Sequence, residues 1–417
     1  MIVLINPTAY IPCGLMSIAA FLRKHGVMVR IQDHPFNLDD AEIVGISSMF
    51  DKYEDKVKAW AEYIKRNNPE TTIVLGGNHA STFAEELIKL PYIDKVVVGE
   101  GEYAMLKIAT REGGGIYKES FLNINEIPMP AYDLVDMSKY IGKAPYSLRA
   151  NIPIVSSRGC PNDCAYCTVK AIWNRTWRGK KPSYVVDEIE YLKNTYGVTE
   201  FSFFDDSVSI DKQRLEGICN EIIRRKLKIK WTTPNGVAYW TLSKPLVKLM
   251  KKAGCYRLTF GIESGQPRIR SYVGKDYLLA QATKLIKYAN SIGMWTITTN
   301  IIGLPYENLK DMEQTLKYAK DCGTDFACFY QLTIHKGTKV YKDRDKILIK
   351  GKELDHIEKR MYKDFIMSRV WSAPFRLLGK IRSWEDFKYT IQLIKQAIKI
   401  LIRVKQKKGC LLYDNTR

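Results

Sequence analysis

Short apolar runs alternate with amphipathic stretches along most of this chain. In the first 120 residues, five β-branched runs (MIVLIN, VMVRIQD, AEIVGISS, TIVLGG and DKVVVGEGE) are separated by helix-like segments such as CGLMSIAAFLRKHG and YEDKVKAWAEYIKRNN. Buried-type strands that alternate with helices predict a parallel, doubly wound, Rossmann-like α/β sheet. Only HPFNLDDA joins the second and third strands, and it is too short for a crossover helix. One unit of the pattern is therefore predicted to be shortened.

A second strand–helix series begins at Asn151, after a linker interrupted by prolines 128, 130 and 145. Its six strands are IPIVSS, EFSFFDD, IKWTTPN, YRLTFGIE, MWTITTNIIG and FACFYQLT. Six such units over roughly 180 residues predict a partial (β/α)6, TIM-like barrel. We therefore predict a Rossmann-like domain at 1–120, a linker at 121–150, the barrel at 151–345 and a helical extension at 346–417.

Composition narrows the class of protein. The 417 residues are 46% hydrophobic, as expected of a folded globular chain. The start, MIVLINPTAYIPCGL, lacks the features of a secretion signal, and no apolar run reaches the roughly 18 residues of a spanning helix. The nine cysteines are scattered apart from one cluster, which favours a reducing compartment over a disulfide scaffold. We expect a cytoplasmic protein.

The net charge of +20 is concentrated near the C-terminus, where residues 369–408 contain eleven Lys or Arg and two acids. The stretch FKYTIQLIKQAIKILIRVKQ has the spacing of an amphipathic helix. Its apolar face carries Phe387, Ile391, Ile394, Ile398 and Leu401. Its polar face carries Lys388, Gln392, Lys395, Lys399 and Arg403.

Three interpretations of this tail stay open. The helix packs on the barrel with a solvated basic face, or it lies on an anionic membrane surface. The second interpretation draws on aromatic residues at headgroup depth and on flanking cations: Trp371, Phe375, Trp384, Arg376, Lys380, Arg382, Lys405, Lys407 and Lys408. It would make a lipid or lipid-linked substrate reasonable. The third, nucleic-acid binding, ranks last because no RNA-binding module accompanies the charge.

Three cysteines in SSRGCPNDCAYCTV carry the clearest chemical signal. Cys160, Cys164 and Cys167 follow the first barrel strand, so they lie at the carboxyl mouth, where barrel active sites are found. Structural zinc takes four ligands, and a cubane iron–sulfur cluster usually takes four thiolates. Three thiolates would leave one iron open to a substrate or cofactor. A zinc loop completed by a distant residue is the alternative.

The C-x3-C-x2-C spacing, with an aromatic residue before the last cysteine, resembles the radical S-adenosylmethionine (radical SAM) superfamily. The resemblance implies that Cys160, Cys164 and Cys167 hold a [4Fe-4S] cluster whose open iron chelates S-adenosylmethionine and generates a 5'-deoxyadenosyl radical. It also implies an electron donor, a flavodoxin or ferredoxin. By the same resemblance Tyr166 contacts the adenine edge, and Asp205 and Asp206 meet the methionyl ammonium or the substrate, although the family's common Gly-Gly-Glu is absent.

Two later segments follow in the order of that family. TFGIESG ends a strand with Glu263 and Ser264, whose oxygens suit hydrogen bonds to hydroxyl groups such as those of a ribose. NIIGLPYEN resembles the segment that borders the adenine, with Gly303 allowing close approach. The structural alternative for Asp205 and Asp206 is a helix cap, and the structural alternative for Gly-Leu-Pro is an ordinary turn.

The N-terminal region, through VLGGNHAS and VVVGEGE, resembles the domain of cobalamin-binding radical SAM enzymes. The Asp-x-His-x-x-Gly signature, which supplies an axial histidine to cobalt in other cobalamin proteins, is absent. We therefore expect no histidine bond to cobalt, and we expect His79 to be a loop histidine bonded to backbone. In an open α/β sheet the ligand lies at the carboxyl ends of the strands. The corrin neighbours expected there are Ser47, Ser48, Met49, Gly76, Gly77, Asn78, Gly99 and Glu100.

The resemblance implies an enzyme that methylates an unactivated carbon, or phosphorus, of a small-molecule, lipid or lipid-linked substrate. One S-adenosylmethionine would recharge cobalamin with a methyl group, and a second would supply the radical. A cyclase, isomerase or carbon–carbon coupling enzyme, with or without cobalamin, is the first alternative. A relative of the tRNA methylthiotransferases is the second, but their three further N-terminal cysteines are missing, since that region has only Cys13.

Overall fold

The structure is a computed structural model that describes residues 1–110, 114–142, 150–370, 379–381 and 384–405. Its internal contacts divide the chain into two compact units. Unit 1 contains Met1–Ile141, Arg158–Pro161 and Thr168–Tyr184. Unit 2 contains the described residues of 142–157, Asn162–Cys167 and the described residues from Val185 onward.

The first eleven elements all belong to unit 1. They are β1 (Ile2–Ile5), α1 (Cys13–Lys24), β2 (Val29–Gln32), β3 (Ile43–Ser47), α2 (Glu54–Asn67), β4 (Thr72–Gly76), α3 (Asn78–Thr82), α4 (Ala84–Leu87), β5 (Lys95–Val97), α5 (Glu102–Ala109) and β6 (Ile116–Tyr117). The strands form one parallel sheet in the order β2-β1-β3-β4-β5-β6. No helix separates β2 from β3, which confirms the shortened crossover.

Both faces of this sheet are covered, as the continuous apolar runs predict. On one face, Val3 and Ile5 of β1 share a core with Val57, Ala61 and Ile64 of α2. On the other, Ile2 and Leu4 pack with Leu22 of α1 and with Met105 and Ile108 of α5. Successive side chains of a strand point to opposite faces, so one apolar run serves both cores. The doubly wound architecture is confirmed.

The elements from β7 onward are β7 (Asn151–Ile154), β8 (Ser157–Arg158), α6 (Val169–Trp173), β9 (Arg178–Gly179), α7 (Pro182–Tyr196), β10 (Glu200–Phe203), α8 (Lys212–Arg224), β11 (Lys230–Val237), α9 (Lys244–Lys252), β12 (Cys255–Glu263), α10 (Pro267–Val273), α11 (Leu279–Ser291), β13 (Trp295–Ile302), α12 (Leu309–Asp321), β14 (Phe326–Gln331), α13 (Lys339–Lys342), α14 (Lys352–Val370) and α15 (Trp384–Lys405). Strands β8 and β9 pair as a small ribbon.

The large sheet of unit 2 is parallel and runs β7-β10-β11-β12-β13-β14. Each strand pairs with the next of the six in chain order, as in a (β/α) barrel that is not closed. All six predicted strands are present. Parallel neighbours place the carboxyl ends of these strands at one edge, and the loops that follow them form the candidate site of this unit.

The C-terminal helices belong to unit 2 and pack on its barrel. Helix α14 contributes Leu354, Met361 and Phe365 to a core shared with β14 and α12. Farther along, the buried Lys380 donates to Met294 O at 2.9 Å and pairs with Asp325. Tyr389 of α15 is buried, and its hydroxyl accepts from Arg257 Nη1 at 2.9 Å. Lys380 and α15 are therefore anchored near the amino ends of β12, β13 and β14, and Lys380, expected among the cations facing a lipid surface, is instead buried in the protein.

Candidate active site

The carboxyl edge of the first sheet is formed largely from backbone. Ser48, directly after β3, donates its N–H to Gly76 O at 2.7 Å, and its own carbonyl accepts from His79 N at 3.0 Å. The next loop is linked in turn, since Gly99 N donates to Ser81 Oγ at 3.0 Å. Three strand ends beside the β1–β3 switch point of the sheet are thus joined into one surface, which is where ligands of such folds bind.

Glycine is required at one position of this edge. Gly77 has φ +108°, and a Cβ there would lie 2.7 Å from Ser48 O. Its neighbour Asn78 and the side chain of Met49, 39% exposed, face outward. The predicted corrin neighbours Ser47, Ser48, Met49, Gly76, Gly77, Asn78 and Gly99 therefore lie at or beside one sheet edge. Backbone and small side chains dominate there, which suits a broad, flat cofactor.

His79 lies inside this edge and is 3% exposed. Its Nδ1 is 3.0 Å from Ser48 Oγ, and Glu54 Oε2 is 3.3 Å from Nε2. The ring also packs against Phe83, with ring centroids 4.7 Å apart. The imidazole is thus held by the protein on several sides. The expected loop position was wrong, because His79 lies in α3 and its ring contacts side chains and not backbone. The expectation that no histidine bonds cobalt stays a prediction.

Glu100, also expected beside the corrin, is 6% exposed and engaged within unit 1. Its Oε1 accepts from Arg158 Nη1 at 2.6 Å and from Arg178 Nη2 at 2.7 Å. The carboxylate therefore positions two arginines, a role that no sequence pattern indicates.

Apart from Cys13 at the start of α1, the cysteines of the described residues fall into two groups. Cys160, Cys164 and Cys167 are partly exposed on the loop between β8 and α6, and none forms a disulfide. In contrast, Cys219, Cys255, Cys322 and Cys328 are buried in the barrel. Burial raises the pKa of the Cys219 thiol to about 12 and that of Cys328 to about 11. Because the thiolate is the ligand, the loop cysteines are the ones suited to hold iron.

Among the described residues, no three His, Cys, Asp or Glu side chains converge as they would around a single metal ion. A cubane cluster makes a different demand, because each thiolate binds a different iron. The three loop cysteines fit that arrangement by their number, their exposure and their position after the first barrel strand.

Beside Cys164 lies a buried ion pair on unit 2. Lys275 Nζ is 2.6 Å from Glu263 Oε1, and both side chains are almost fully buried. Burial acts to lower the pKa of Lys275, but the charges of Glu263 and Cys164 raise it above its usual value, so the amine is protonated. Glu263 ends β12 with φ +63°, a conformation that costs a non-glycine residue about 1–3 kcal/mol.

Tyr166 belongs to the same group of residues. Burial, followed by the negative charges of Glu263, Cys164 and Cys167, raises the pKa of its phenol well above the usual value. The structure thus brings together two residues predicted for S-adenosylmethionine, Tyr166 and Glu263, with two of the cysteines. It adds Lys275, which sequence reasoning missed.

The two acids after β10 have different surroundings. Asp205 is 2% exposed, and its carboxylate accepts from Ser156 N at 2.6 Å and from Ser157 N at 3.0 Å. Burial raises its pKa although these donors act to lower it. Asp206 is exposed. Asp205 therefore fixes the backbone after β7, and Asp206 is the acid of this pair that a ligand can reach.

Ser264 and Gly303 are also occupied by the protein. The Ser264 hydroxyl is fully buried, 3.2 Å from Thr315 Oγ1. At Gly303, with φ +80°, a Cβ would lie 2.7 Å from Leu354 of α14, so the close approach seen here is to that helix. The following loop is held by the buried Glu307, which accepts from Gly303 N at 2.8 Å and from Leu304 N at 3.1 Å. Contacts of Ser264 and Gly303 with a cofactor stay predictions.

Comparisons with known families identify the two regions of the chain separately. Residues 154–319 match the radical SAM superfamily, and residues 7–109 match the B12 binding domain. The chain is 32% identical over 405 residues to an uncharacterized methyltransferase of Pyrococcus horikoshii, covering 88% of this chain and 85% of that protein. The chain belongs to the cobalamin-dependent radical SAM methyltransferase family.

Two further comparisons extend the assignment. A cytidylyl-2-hydroxyethylphosphonate methyltransferase of Streptomyces wedmorensis is 28% identical to this radical SAM protein over 436 residues, covering 82% of this chain and 81% of that one. The radical S-adenosylmethionine methyltransferase TsrM of Kitasatospora setae, solved with cobalamin and a [4Fe-4S] cluster, superposes with a TM-score of 0.66. The superposition covers 81% of this chain and 76% of TsrM at 16% identity, and it supports the fold.

The cofactors of this radical SAM enzyme are a [4Fe-4S] cluster, S-adenosylmethionine and cobalamin. The cysteine loop fits the cluster, and the glycine edge of unit 1 fits cobalamin. Two groups of residues escaped the sequence analysis, the Glu263–Lys275 pair and the arginines on Glu100. The former was not found because Lys275 joins Glu263 only through the turn at Gly274, whose φ is +81°.

Proposed function

We propose that this enzyme transfers a methyl group from S-adenosylmethionine to an unactivated carbon, or a phosphorus, of a small-molecule, lipid or lipid-linked substrate. The observation that supports it most is the presence of two distinct ligand edges in one chain, a glycine edge suited to a corrin and a cysteine loop suited to a cluster. Similarity over most of both chains to a cytidylyl-2-hydroxyethylphosphonate methyltransferase supports methyl transfer as the reaction.

When bound, the reduced cluster supplies the electron that cleaves S-adenosylmethionine, and cobalamin supplies a methyl carrier. The protein would contribute three things. Cys160, Cys164 and Cys167 would hold the cluster. The Glu263–Lys275 pair would orient the charged methionyl end of S-adenosylmethionine, because it offers one buried carboxylate and one buried ammonium beside Cys164. The backbone around Gly76, Gly77 and Gly99 would border the corrin.

Methyl-deuterated S-adenosylmethionine tests this reaction. The anaerobically reconstituted enzyme would be incubated with it, hydroxocobalamin, a flavodoxin or ferredoxin reducing system and a small-molecule extract. We expect 5'-deoxyadenosine, S-adenosylhomocysteine and a product that carries the deuterated methyl group. Formation of 5'-deoxyadenosine without any labelled product would instead support a cyclase, isomerase or coupling reaction.

We also propose that the enzyme works at an anionic membrane surface through α15. No helix among the described residues has the length and apolarity to cross a bilayer. On α15, however, Tyr389 and Thr390 are buried, while a separate apolar row faces outward and is 37–67% exposed: Trp384, Phe387, Ile391, Ile394, Ile398 and Ile402. The sequence alone did not distinguish these two apolar faces.

Exposed lysines border this row. Lys388 and Lys395 are exposed, and each lies three residues before an isoleucine of the row, Ile391 and Ile398, so the lysines flank the row along one border. An outward apolar row beside a basic row is the arrangement of helices that lie in a lipid interface. The positive charge of the tail favours an anionic lipid surface over a second copy of the same basic helix. Trp371, Phe375, Arg376, Arg382, Lys407 and Lys408, and the side chain of Lys405, lie outside the described residues.

Vesicle co-sedimentation tests the lipid contact. We expect binding to phosphatidylcholine vesicles that contain phosphatidylglycerol, weaker binding to phosphatidylcholine alone, and loss of binding in the Ile394→Glu/Ile398→Glu variant. Leu278→Glu, which replaces another exposed apolar side chain, is the matched control and should bind normally. Equal sedimentation with and without vesicles, together with a dimer that the double variant disrupts, would assign the row to self-association.

A further inference from the structure

Arg158 lies immediately before the cysteine loop and is the centre of a buried ion network within unit 1. Its Nη1 donates to Glu100 Oε1 at 2.6 Å, and its Nη2 donates to Glu102 Oε1 at 2.7 Å and to Ser17 Oγ at 2.9 Å. The guanidinium therefore reaches three side chains, two of which flank Gly101 after β5.

The network holds both strands of the β8–β9 ribbon. Arg158 is in β8, and Arg178 in β9 donates to the same Glu100 oxygen at 2.7 Å. The ribbon strands lie on either side of the cysteine loop in the sequence, so the two arginines fix both ends of the segment that carries it. Each guanidinium uses more than one N–H, an arrangement that lysine cannot reproduce.

The residue between Arg158 and Cys160 is fixed as well. Gly159 has φ +85°, and a Cβ there would lie 1.9 Å from Thr176 O. Any other residue would have to displace this backbone. Both residues before Cys160 are therefore fixed in position. Arg158 is held by the hydrogen bonds of its side chain, and Gly159 is held by the close approach of its backbone to Thr176.

The charges of the network balance, since it contains two arginines and two glutamates that are almost fully buried. Burial would raise the pKa of Glu102, but Arg158 and Ser17 lower it below the usual value, so the carboxylate is ionised at neutral pH. Buried ion pairs are seldom more stabilising than apolar packing, because desolvation offsets much of their attraction. Simple stability is thus a weak reason for such a network, whereas fixed geometry is a strong one.

We propose that Arg158 is a positioning residue that ties the backbone before Cys160 to the turn at residues 99–101, so that loading of the cluster and loading of cobalamin are linked. The turn belongs to the glycine edge on which the corrin is proposed to lie, and the inference rests on that part of the proposed function. Ordering either side of the network restricts the other, and such coupling is reciprocal.

The test compares the Kd of hydroxocobalamin for the full-length protein with the cluster reconstituted and after the iron has been removed by a chelator. In the wild type, we expect the cluster to tighten hydroxocobalamin binding by about fivefold or more. In Arg158→Met/Glu102→Gln, which removes one buried charge of each sign and leaves the Arg178–Glu100 pair, the two Kd values should become equal while iron content is retained.

Two further variants keep the proposal testable if the double variant does not fold. Arg158→Lys keeps the charge and loses the two-sided hydrogen bonding, so a reduced but measurable ratio is expected. Arg23→Gln breaks an exposed pair with Asp133 in the same unit and should leave the wild-type ratio unchanged. A wild-type ratio of one, or a wild-type ratio retained in both Arg158 variants, would overturn the proposal. A wild type that binds no hydroxocobalamin in either state would instead refute the cobalamin site itself.

Discussion

The two sheets of this protein present very different carboxyl edges. The edge of unit 1 around Gly76, Gly77 and Gly99 is mostly backbone, small side chains and one buried histidine. The edge of unit 2 is rich in buried ionisable side chains, with Asp205, Glu263, Lys275 and Glu307 each held by specific partners. A corrin offers a broad surface to backbone, whereas S-adenosylmethionine offers an ammonium, a carboxylate and a sulfonium. Each edge thus has the chemistry of the cofactor assigned to it.

The largest effect is expected at the cysteine loop. Cys164→Ala removes one of three iron ligands, so both the brown colour and 5'-deoxyadenosine formation should be abolished. Iron analysis and product chromatography measure the two losses. Cys219→Ala is the matched control because Cys219 is buried in α8, and it should keep both properties. Cluster retention in Cys164→Ala would contradict the ligand assignment.

The charged edge should be sensitive to loss of one partner. Lys275→Met leaves the Glu263 carboxylate buried without its cation, which typically costs about 3–5 kcal/mol. Thermal unfolding and S-adenosylmethionine binding should both show the defect. Lys317→Met breaks an exposed pair with Asp321 one helical turn away and should cost at most about 0.5 kcal/mol. Equal effects of the two substitutions would show that the buried pair has no special role.

The glycine edge should respond to a single methyl group. Gly77→Ala forces an alanine to φ +108° and places its Cβ against Ser48 O, at an expected cost of about 1–3 kcal/mol. Hydroxocobalamin affinity should fall as well, while iron content should not. Gly14→Ala, within α1 and with no atoms near the added methyl, should change neither property. Unchanged cobalamin binding in Gly77→Ala would remove this glycine from the proposed site.

The smallest expected effect is a pH dependence of stability that comes from Glu307 at the edge of unit 2. Burial raises the pKa of Glu307 to about 8 from its ordinary value near 4.5, despite two backbone donors. Between these values the folded protein binds a proton that the unfolded chain has released, so stability falls as pH rises, by at most about 1.4 kcal/mol per pH unit. Glu307→Gln removes this proton, so its thermal stability should fall less than that of the wild type between pH 6 and pH 7. Parallel pH profiles would show that Glu307 is already ionised.

The sequence predicted five strands of the first sheet and all six of the large sheet of unit 2, because their apolar runs alternate regularly with helix-like segments. It missed the two-residue strand β6. It did not predict the β8–β9 ribbon, since strands of two residues have no periodicity. Chemistry that depends on contiguous residues, such as the cysteine spacing, was equally clear. Chemistry that depends on packing was not: nothing in the sequence shows that Asp205 is occupied by Ser156 and Ser157, or that Lys275 reaches Glu263.

The same limit applies to the two faces of α15. The sequence placed Phe387, Ile391, Ile394 and Ile398 together on one face, and the structure has them exposed. Periodicity identifies an apolar face but does not tell whether that face is covered by the rest of the protein. Here Tyr389, on another face of the helix, forms the contact with the barrel. The neighbouring aromatic residues and the bond to Arg257 decided which face was buried.

Cofactor stoichiometry determines whether one chain holds both a cluster and cobalamin. Wild-type protein and Cys164→Ala would be reconstituted anaerobically with iron, sulfide and hydroxocobalamin, and then separated from unbound cofactors by gel filtration. We predict about four irons and one corrinoid per wild-type chain, and a corrinoid without the cluster in Cys164→Ala. A wild-type chain that retains iron but no corrinoid would contradict the account.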